Sequence, residues 1–150
     1  MADLSHGLAE SGGTVDIGPL PSVEADRLQM RQLLQNLIGN AIKFRRPGVA
    51  PRVVVTANPA PRGDGDDLMW ELRVADNGIG LEPVHAEKIF KPFERLHGHA
   101  SYEGSGLGLA VCARIVERHG GRIRAEGQPG VGTTLIATLP AAHRRREAAA

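Results

Sequence analysis

Apolar residues fall at positions 30, 33, 34, 37, 38, 41, 42 and 44, a helical period with one buried face. Asn36, Asn40 and Lys43, spaced by four and then three positions, share another face of the same helix. Asp26, followed three residues later by Gln29, is a capping-box pattern that starts the helix near residue 26. Arg45 and Arg46 suit the negative end of its dipole, and Pro47-Gly48 break it. Elsewhere the period shortens to two. Thr14–Ile17 alternates as a short strand, stopped by Pro19-Leu20-Pro21. Arg52–Ala57 is β-branched and predicts a strand, Pro59–Asp67 a hairpin loop, and Leu68–Ala75 a second strand with Trp70, Leu72 and Val74 on one face. Pro83 opens a short helix over 83–90. A further helix is expected over Leu107–His119, with Leu109, Val111, Ile115 and Val116 inside and Gly120-Gly121 closing it. Arg122–Glu126 and Thr133–Leu139 are strands joined by the turn Gln128–Gly132. The pattern predicts an α/β two-layer sandwich, one mixed β-sheet with three helices on one face.

Bulk properties narrow the function classes. A chain of 150 residues is the size of one domain, and a formal net charge of +1 gives no electrostatic case for nucleic acid. Cys112 is the only cysteine, which excludes a disulfide framework and a Cys-based metal site. No apolar run approaches the ~18 residues of a membrane span, and the N-terminus lacks a signal-peptide pattern. A cytoplasmic chain with no membrane segment is therefore expected. Residues 1–13, ending in Gly12-Gly13, are expected as a linker, 14–140 as the domain, and 141–150, with Arg144-Arg145-Arg146 among alanines, as a disordered tail.

Four segments carry candidate chemistry. The Asn36, Asn40, Lys43 stripe is either a solvated helix surface or a wall that meets phosphates and a hard cation. A carboxamide oxygen is a neutral Mg²⁺ ligand, and a lysine is a point charge for phosphate. Asp76-Asn77-Gly78-Ile79-Gly80 follows a strand. Its glycines permit positive φ and close approach, and Asp76 can accept a hydrogen bond from an exocyclic amine such as adenine N6. Taken alone, this is a turn signature. Gly104-Ser105-Gly106-Leu107-Gly108-Leu109 opens a helix, whose free N–H groups attract phosphate. Its spacing is neither the dinucleotide fingerprint nor a Walker loop. Gly130-Val131-Gly132-Thr133 is by itself a hairpin turn, but it brings the Thr133 hydroxyl near Asp76 if the two strands are neighbours.

Taken together and in this order, the segments resemble the ATP-binding catalytic domain of bacterial sensor histidine kinases, in the Bergerat-fold superfamily shared with gyrase, MutL and a heat-shock chaperone. Asn36-Leu-Ile-Gly-Asn40-Ala-Ile-Lys43-Phe is similar to that family's Asn box, and Asp76–Gly80 to its first glycine box. Ile89-Phe90-Lys-Pro-Phe93 resembles its phenylalanine box, Gly104–Leu109 its second glycine box, and Gly130–Thr133 the closing one. The likeness spans about 14–140, and Phe93-Glu-Arg95-Leu-His97-Gly is similar to kinases joined to PAS or phytochrome-type sensors.

The resemblance implies ATP and Mg²⁺ as cofactors and a role for each matching residue. Asn40 would ligate Mg²⁺, Asn36 would support the phosphate and metal shell, and Lys43 would reach a phosphate. Asp76 would bind adenine N6, directly and through a water shared with Thr133, while Gly78 and Gly80 let the purine lie against backbone. Phe90 and Phe93 would anchor a lid over about 94–105, from which Arg95 would reach the γ-phosphate. Gly104, Ser105, Gly106 and Gly108, with the N–H groups of Leu107 and Leu109, would cradle phosphates. Hydrolytic relatives carry a glutamate base where Asn36 stands here, so weak ATP hydrolysis is expected. None of His6, His85, His97, His99, His119 or His143 has the phosphoacceptor context. The implied partners are a dimerisation and phosphoacceptor domain of the same kinase, a response regulator and an upstream sensor. Two other readings remain at this point: a serine-kinase anti-sigma-type regulator, and a nucleotide-binding interaction module without transfer activity.

Overall fold

The structure is a computed structural model, describing residues 12–20, 26–60, 69–91 and 108–140. Most of the expected linker, the tail over 141–150, and Phe93, Arg95, Gly104, Ser105, Gly106 and Leu107 lie outside the described residues.

The elements run β1 (Thr14–Ile17), α1 (Arg27–Lys43), β2 (Arg52–Ala60), β3 (Met69–Asp76), two 3-10 turns (Pro83–His85 and Lys88–Phe90), α2 (Gly108–Arg118), β4 (Arg122–Gln128) and β5 (Gly132–Pro140). The five strands form one mixed sheet in the order β1-β2-β3-β5-β4. The β1–β2 pair is parallel and the other pairs are antiparallel. The two-layer α/β sandwich is as the periodicity predicts.

Leu33, Leu37, Ile38, Ala41 and Ile42 of α1 and Cys112, Ile115 and Val116 of α2 pack in one core with Val53, Val55, Leu72, Val74, Ala125, Leu135, Ala137 and Leu139 of the sheet. The alternation puts every second strand residue inward. On the other face, Ile136 is nonetheless buried. It lies in register between Arg73 and Arg124, which ion-pair with Glu71 at 2.8 and 3.7 Å.

Two boundaries differ from expectation for physical reasons. The segment over 83–90 forms two 3-10 turns rather than one helix, because eight residues are too few to recover the cost of nucleating an α-helix. Strand β2 continues through Pro59, which pairs in register with Trp70. Partner β1 reaches only Val55, so the prolyl nitrogen lies on an edge stretch where no ladder donor is required.

Asp26 is the N-cap of α1, its Oδ1 accepting from the Gln29 amide at 3.0 Å. In a full capping box the third helical side chain would take the cap residue's own N–H. Here His119, at the end of α2, takes it: Asp26 N donates to Nε2 at 3.1 Å. Nε2 is thus the acceptor, so Nδ1 carries the proton and donates to the Ile115 carbonyl at 2.8 Å. His119 is 7 % exposed, so its loss empties a buried position and removes both ring hydrogen bonds. His119→Ala should lower the unfolding free energy by about 1–3 kcal/mol in urea titrations, while Arg118→Ala on the exposed side of α2 should change it by less than about 0.5 kcal/mol.

Candidate functional site

The site is built where the C-terminal end of α1 meets two loops. The Phe44 carbonyl, just past the helix, accepts from the Ile79 amide at 3.0 Å. The Ile79 carbonyl in turn accepts from the Gly130 amide at 2.8 Å. The loop after β3 is thus pinned between the end of α1 and the β4–β5 turn.

Glycine is required here by the protein's own backbone. A Cβ on Gly78 would stand 2.5 Å from the Phe44 carbonyl oxygen. Gly80 adopts φ +86°, and a side chain there would collide with the carbonyl of Gln128.

Asp76 ends β3, next to this seam. Its Oδ1 accepts from the Gly78 amide at 2.9 Å and from the Thr133 amide at 3.1 Å. Strands β3 and β5 are neighbours, with Ala75 opposite Thr134. Thr133 therefore does reach Asp76, and the contact is made by its backbone N–H. Burial raises the Asp76 pKa above the ordinary 3.8, outweighing the two backbone bonds, which pull it down.

Asn36, Asn40 and Lys43 lie along α1, all half-buried. Counting from Phe44 at 1.5 Å per residue, Asn40 is about 6 Å and Asn36 about 12 Å back along the axis. Lys43 Nζ sits 5.1 Å from the centre of the Phe44 ring, within cation–π range. The Cys112 thiol donates to the Leu33 carbonyl of α1 at 3.9 Å, and its pKa is pushed up to about 12 mainly by burial. Gly108 is the first residue of α2, with Leu109 half-buried behind it. Phe90 ends the second 3-10 turn and packs against the core. Of the predicted site, Asp76, Gly78 and Thr133 are thus bonded together and their loop is tied to the end of α1. Asn36 lies near the middle of that helix, and Phe90, Gly108 and Leu109 stand on the second 3-10 turn and the start of α2.

Two residues that fasten this region are not among the site residues expected from the sequence. Arg46, read there as a dipole partner, donates from Nε to the Asn77 carbonyl at 2.9 Å and from Nη1 to the Gly130 carbonyl at 3.1 Å. Asn77 accepts from the Arg52 amide on Oδ1 at 2.7 Å and donates from Nδ2 to the Ala50 carbonyl at 3.3 Å. Periodicity carries no signal for bonds between residues so far apart in the chain.

The raised pKa of Asp76 has a sign that can be checked. From pH 3.8 up to the raised value, the folded chain holds a proton that the unfolded chain has released. The contribution of Asp76 to stability therefore falls as pH rises through that window. An asparagine keeps the Oδ1 acceptor and carries no charge. Asp76→Asn should make the ligand-free domain as stable as the parent, or a few degrees more stable, at pH 7. The gap should close as the pH approaches 3.8 in thermal unfolding, and a variant less stable at pH 7 would contradict this account.

Residues 25–143 match the family model described as "Histidine kinase-, DNA gyrase B-, and HSP90-like ATPase". The chain is 40% identical over 140 residues to the "Phytochrome-like protein Cph1" of Synechocystis sp., covering 93% of this chain and 18% of that protein. It is 43% identical over 147 residues to "Cyanobacterial phytochrome A" of Nostoc sp., covering 98% of this chain and again 18% of the relative. It thus spans about a fifth of the length of these relatives. Among solved structures, full-length ShkA in complex with AMPPNP aligns with a TM-score of 0.74 at 31% identity, over 93% of this chain and 28% of that one. The chain belongs to the histidine kinase-, gyrase B- and HSP90-like ATPase family, as an ATP-binding domain of the kind found in histidine kinases, phytochrome-like sensor kinases among its relatives.

Proposed function

We propose that this domain binds ATP with Mg²⁺ and serves as the catalytic module for phosphoryl transfer to a histidine on a separate dimerisation and phosphoacceptor domain of the same kinase. An upstream sensor would control that transfer, and a response regulator would receive the phosphoryl group. The observation that carries the reading is the setting of Asp76: a half-withdrawn carboxylate whose Oδ1 is fixed by the amides of Gly78 and Thr133. Both bonds fall on Oδ1, so Oδ2 is the atom that would accept the exocyclic amine of adenine. The phosphate chain would then run back along α1 past Lys43 and Asn40, toward the N-terminal end of α2 at Gly108 and Leu109.

The donor set fits Mg²⁺ held largely by the nucleotide. Among the described residues no group of three His, Cys, Asp or Glu side chains converges on a metal position. Asn40 would contribute a carboxamide oxygen, with phosphates and water filling the octahedral shell. The ion would neutralise phosphate charge during transfer. Asn36 is an amide and cannot take a proton from water near neutral pH, so ATP should be held rather than hydrolysed. His119, just past the end of α2, is buried in the link to Asp26, which argues against it as an acceptor.

Calorimetry with ATP·Mg²⁺ tests the reading. The parent chain should bind, Asp76→Asn should weaken binding at least about tenfold, or ~1.4 kcal/mol, and Asn40→Ala should remove most of the dependence on Mg²⁺. With labelled ATP, acid-labile phosphohistidine should form only when a phosphoacceptor domain is added. Equal binding by parent and Asp76→Asn would support an interaction module instead, and labelling of a protein serine would support the anti-sigma type of regulator.

A further inference from the structure

The guanidinium of Arg46 spans a seam that the proposed purine site depends on. On one side of the seam is the loop Asp76–Gly80; on the other is the turn Gln128–Gly132. Asp76 crosses it with one carboxylate oxygen, which holds Gly78 N at 2.9 Å and Thr133 N at 3.1 Å. Ile79 crosses it through its carbonyl, which accepts from Gly130 at 2.8 Å. Arg46 crosses it a third time, with Nε on the Asn77 carbonyl at 2.9 Å and Nη1 on the Gly130 carbonyl at 3.1 Å.

We propose that Arg46 is a positioning residue for the purine end of the site: its rigid fork fixes the separation of the Asn77 and Gly130 carbonyls, and so the direction in which Asp76 points. The inference rests on the reading that Asp76 meets the nucleotide base. Two N–H donors in a planar, delocalised group hold two acceptors at a set spacing, which a single ammonium on a flexible stem cannot do. The seam has few other restraints of this kind. Asn77 ties its loop to the opposite flank, through Arg52 N and Ala50 O, and the Gln128–Gly132 turn is closed by its own hairpin. Without Arg46 the bonds between loop and turn are therefore the Ile79–Gly130 bond and that of Asp76 to Thr133. Asp76 would then follow the turn instead of aiming at a ligand. Neighbouring Arg45 gives a matched control: its Nη1 donates at 3.0 Å to the Ile42 carbonyl of its own helix and crosses no seam. Arg46 is half-buried and outside the apolar core, so its loss should register in affinity more than in folding.

The test compares the parent, Asp76→Asn, Arg45→Ala, Arg46→Ala and Arg46→Lys by calorimetry with ATP·Mg²⁺ and ADP·Mg²⁺, and by amide NMR of the ligand-free chain. Arg46→Ala should weaken ATP and ADP by the same factor, about tenfold, since both carry the same base. Arg46→Lys should recover little of that loss, and Arg45→Ala should stay within about twofold of the parent. The Thr133 and Gly78 amide resonances should move in both Arg46 variants while the melting temperature changes by only a few degrees. Unchanged affinity in Arg46→Ala, full rescue by lysine, or a loss confined to ATP would each overturn the proposal, the last two pointing to a helix-dipole or phosphate role. If Arg46→Ala does not fold, Arg46→Lys decides by the same criteria. Should the parent fail to bind nucleotide, or Asp76→Asn bind equally well, the reading of the site falls. The Thr133 and Gly78 amide shifts would then still decide whether Arg46 sets the seam.

Discussion

A carboxylate partly removed from water has to be held by donors, and in this fold the donors come from two distant parts of the chain. Asp76 takes one amide from the glycine loop that follows it and one from the start of the last strand. That pairing requires β3 and β5 to be adjacent, which places β4 at the far edge and gives the order β1-β2-β3-β5-β4. It also requires the loop to turn back toward the end of α1, where Phe44 receives it. The raised pKa of Asp76 marks the cost of the arrangement, a cost that a ligand offering an N–H to the second oxygen would offset.

The helical layer supports this arrangement from the other side. The core side chains of α1 anchor it on the sheet, which leaves the flank bearing Asn36, Asn40 and Lys43 half-open. Helix α2 packs alongside through Cys112, Ile115 and Val116, with the Cys112–Leu33 carbonyl contact and the His119–Asp26 bond as polar fasteners between the two helices. Most of what joins the layers is apolar and non-directional. What fixes the loops is directional: the side chains of Asp76, Asn77 and Arg46 grip backbone amides and carbonyls, beside two backbone–backbone bonds.

That division explains what was legible in the sequence. Helix α1 and the strand faces of Leu72 and Val74 announce themselves by period, because burial on one side is what writes the period. The glycine segments were legible as places where backbone must come close, though Gly78 and Gly80 turn out to face Phe44 and Gln128 rather than only open space for a ligand. The reach of Thr133 to Asp76 was foreseen through a hydroxyl, whereas the amide makes the bond, since side-chain letters say nothing about which backbone groups are left to donate. Arg46 was seen only as a charge beside a helix end. Its partners lie 31 and 84 residues away, and only the folded chain brings their carbonyls to it. The eight residues over 83–90 were too short a window to separate α-helical from 3-10 geometry.

Pro59 has a consequence beyond its place in the register. From Thr56 to Ala60, β2 extends past the last residue of β1 to which it pairs, so among the described residues that flank is a bare sheet margin. Such margins are where separate molecules zip together into aggregates. A ring nitrogen without hydrogen near the end of this one interrupts the row of donors that an incoming chain would need, so the proline that would be expected to end the strand instead makes its exposed stretch a poor template for a second chain.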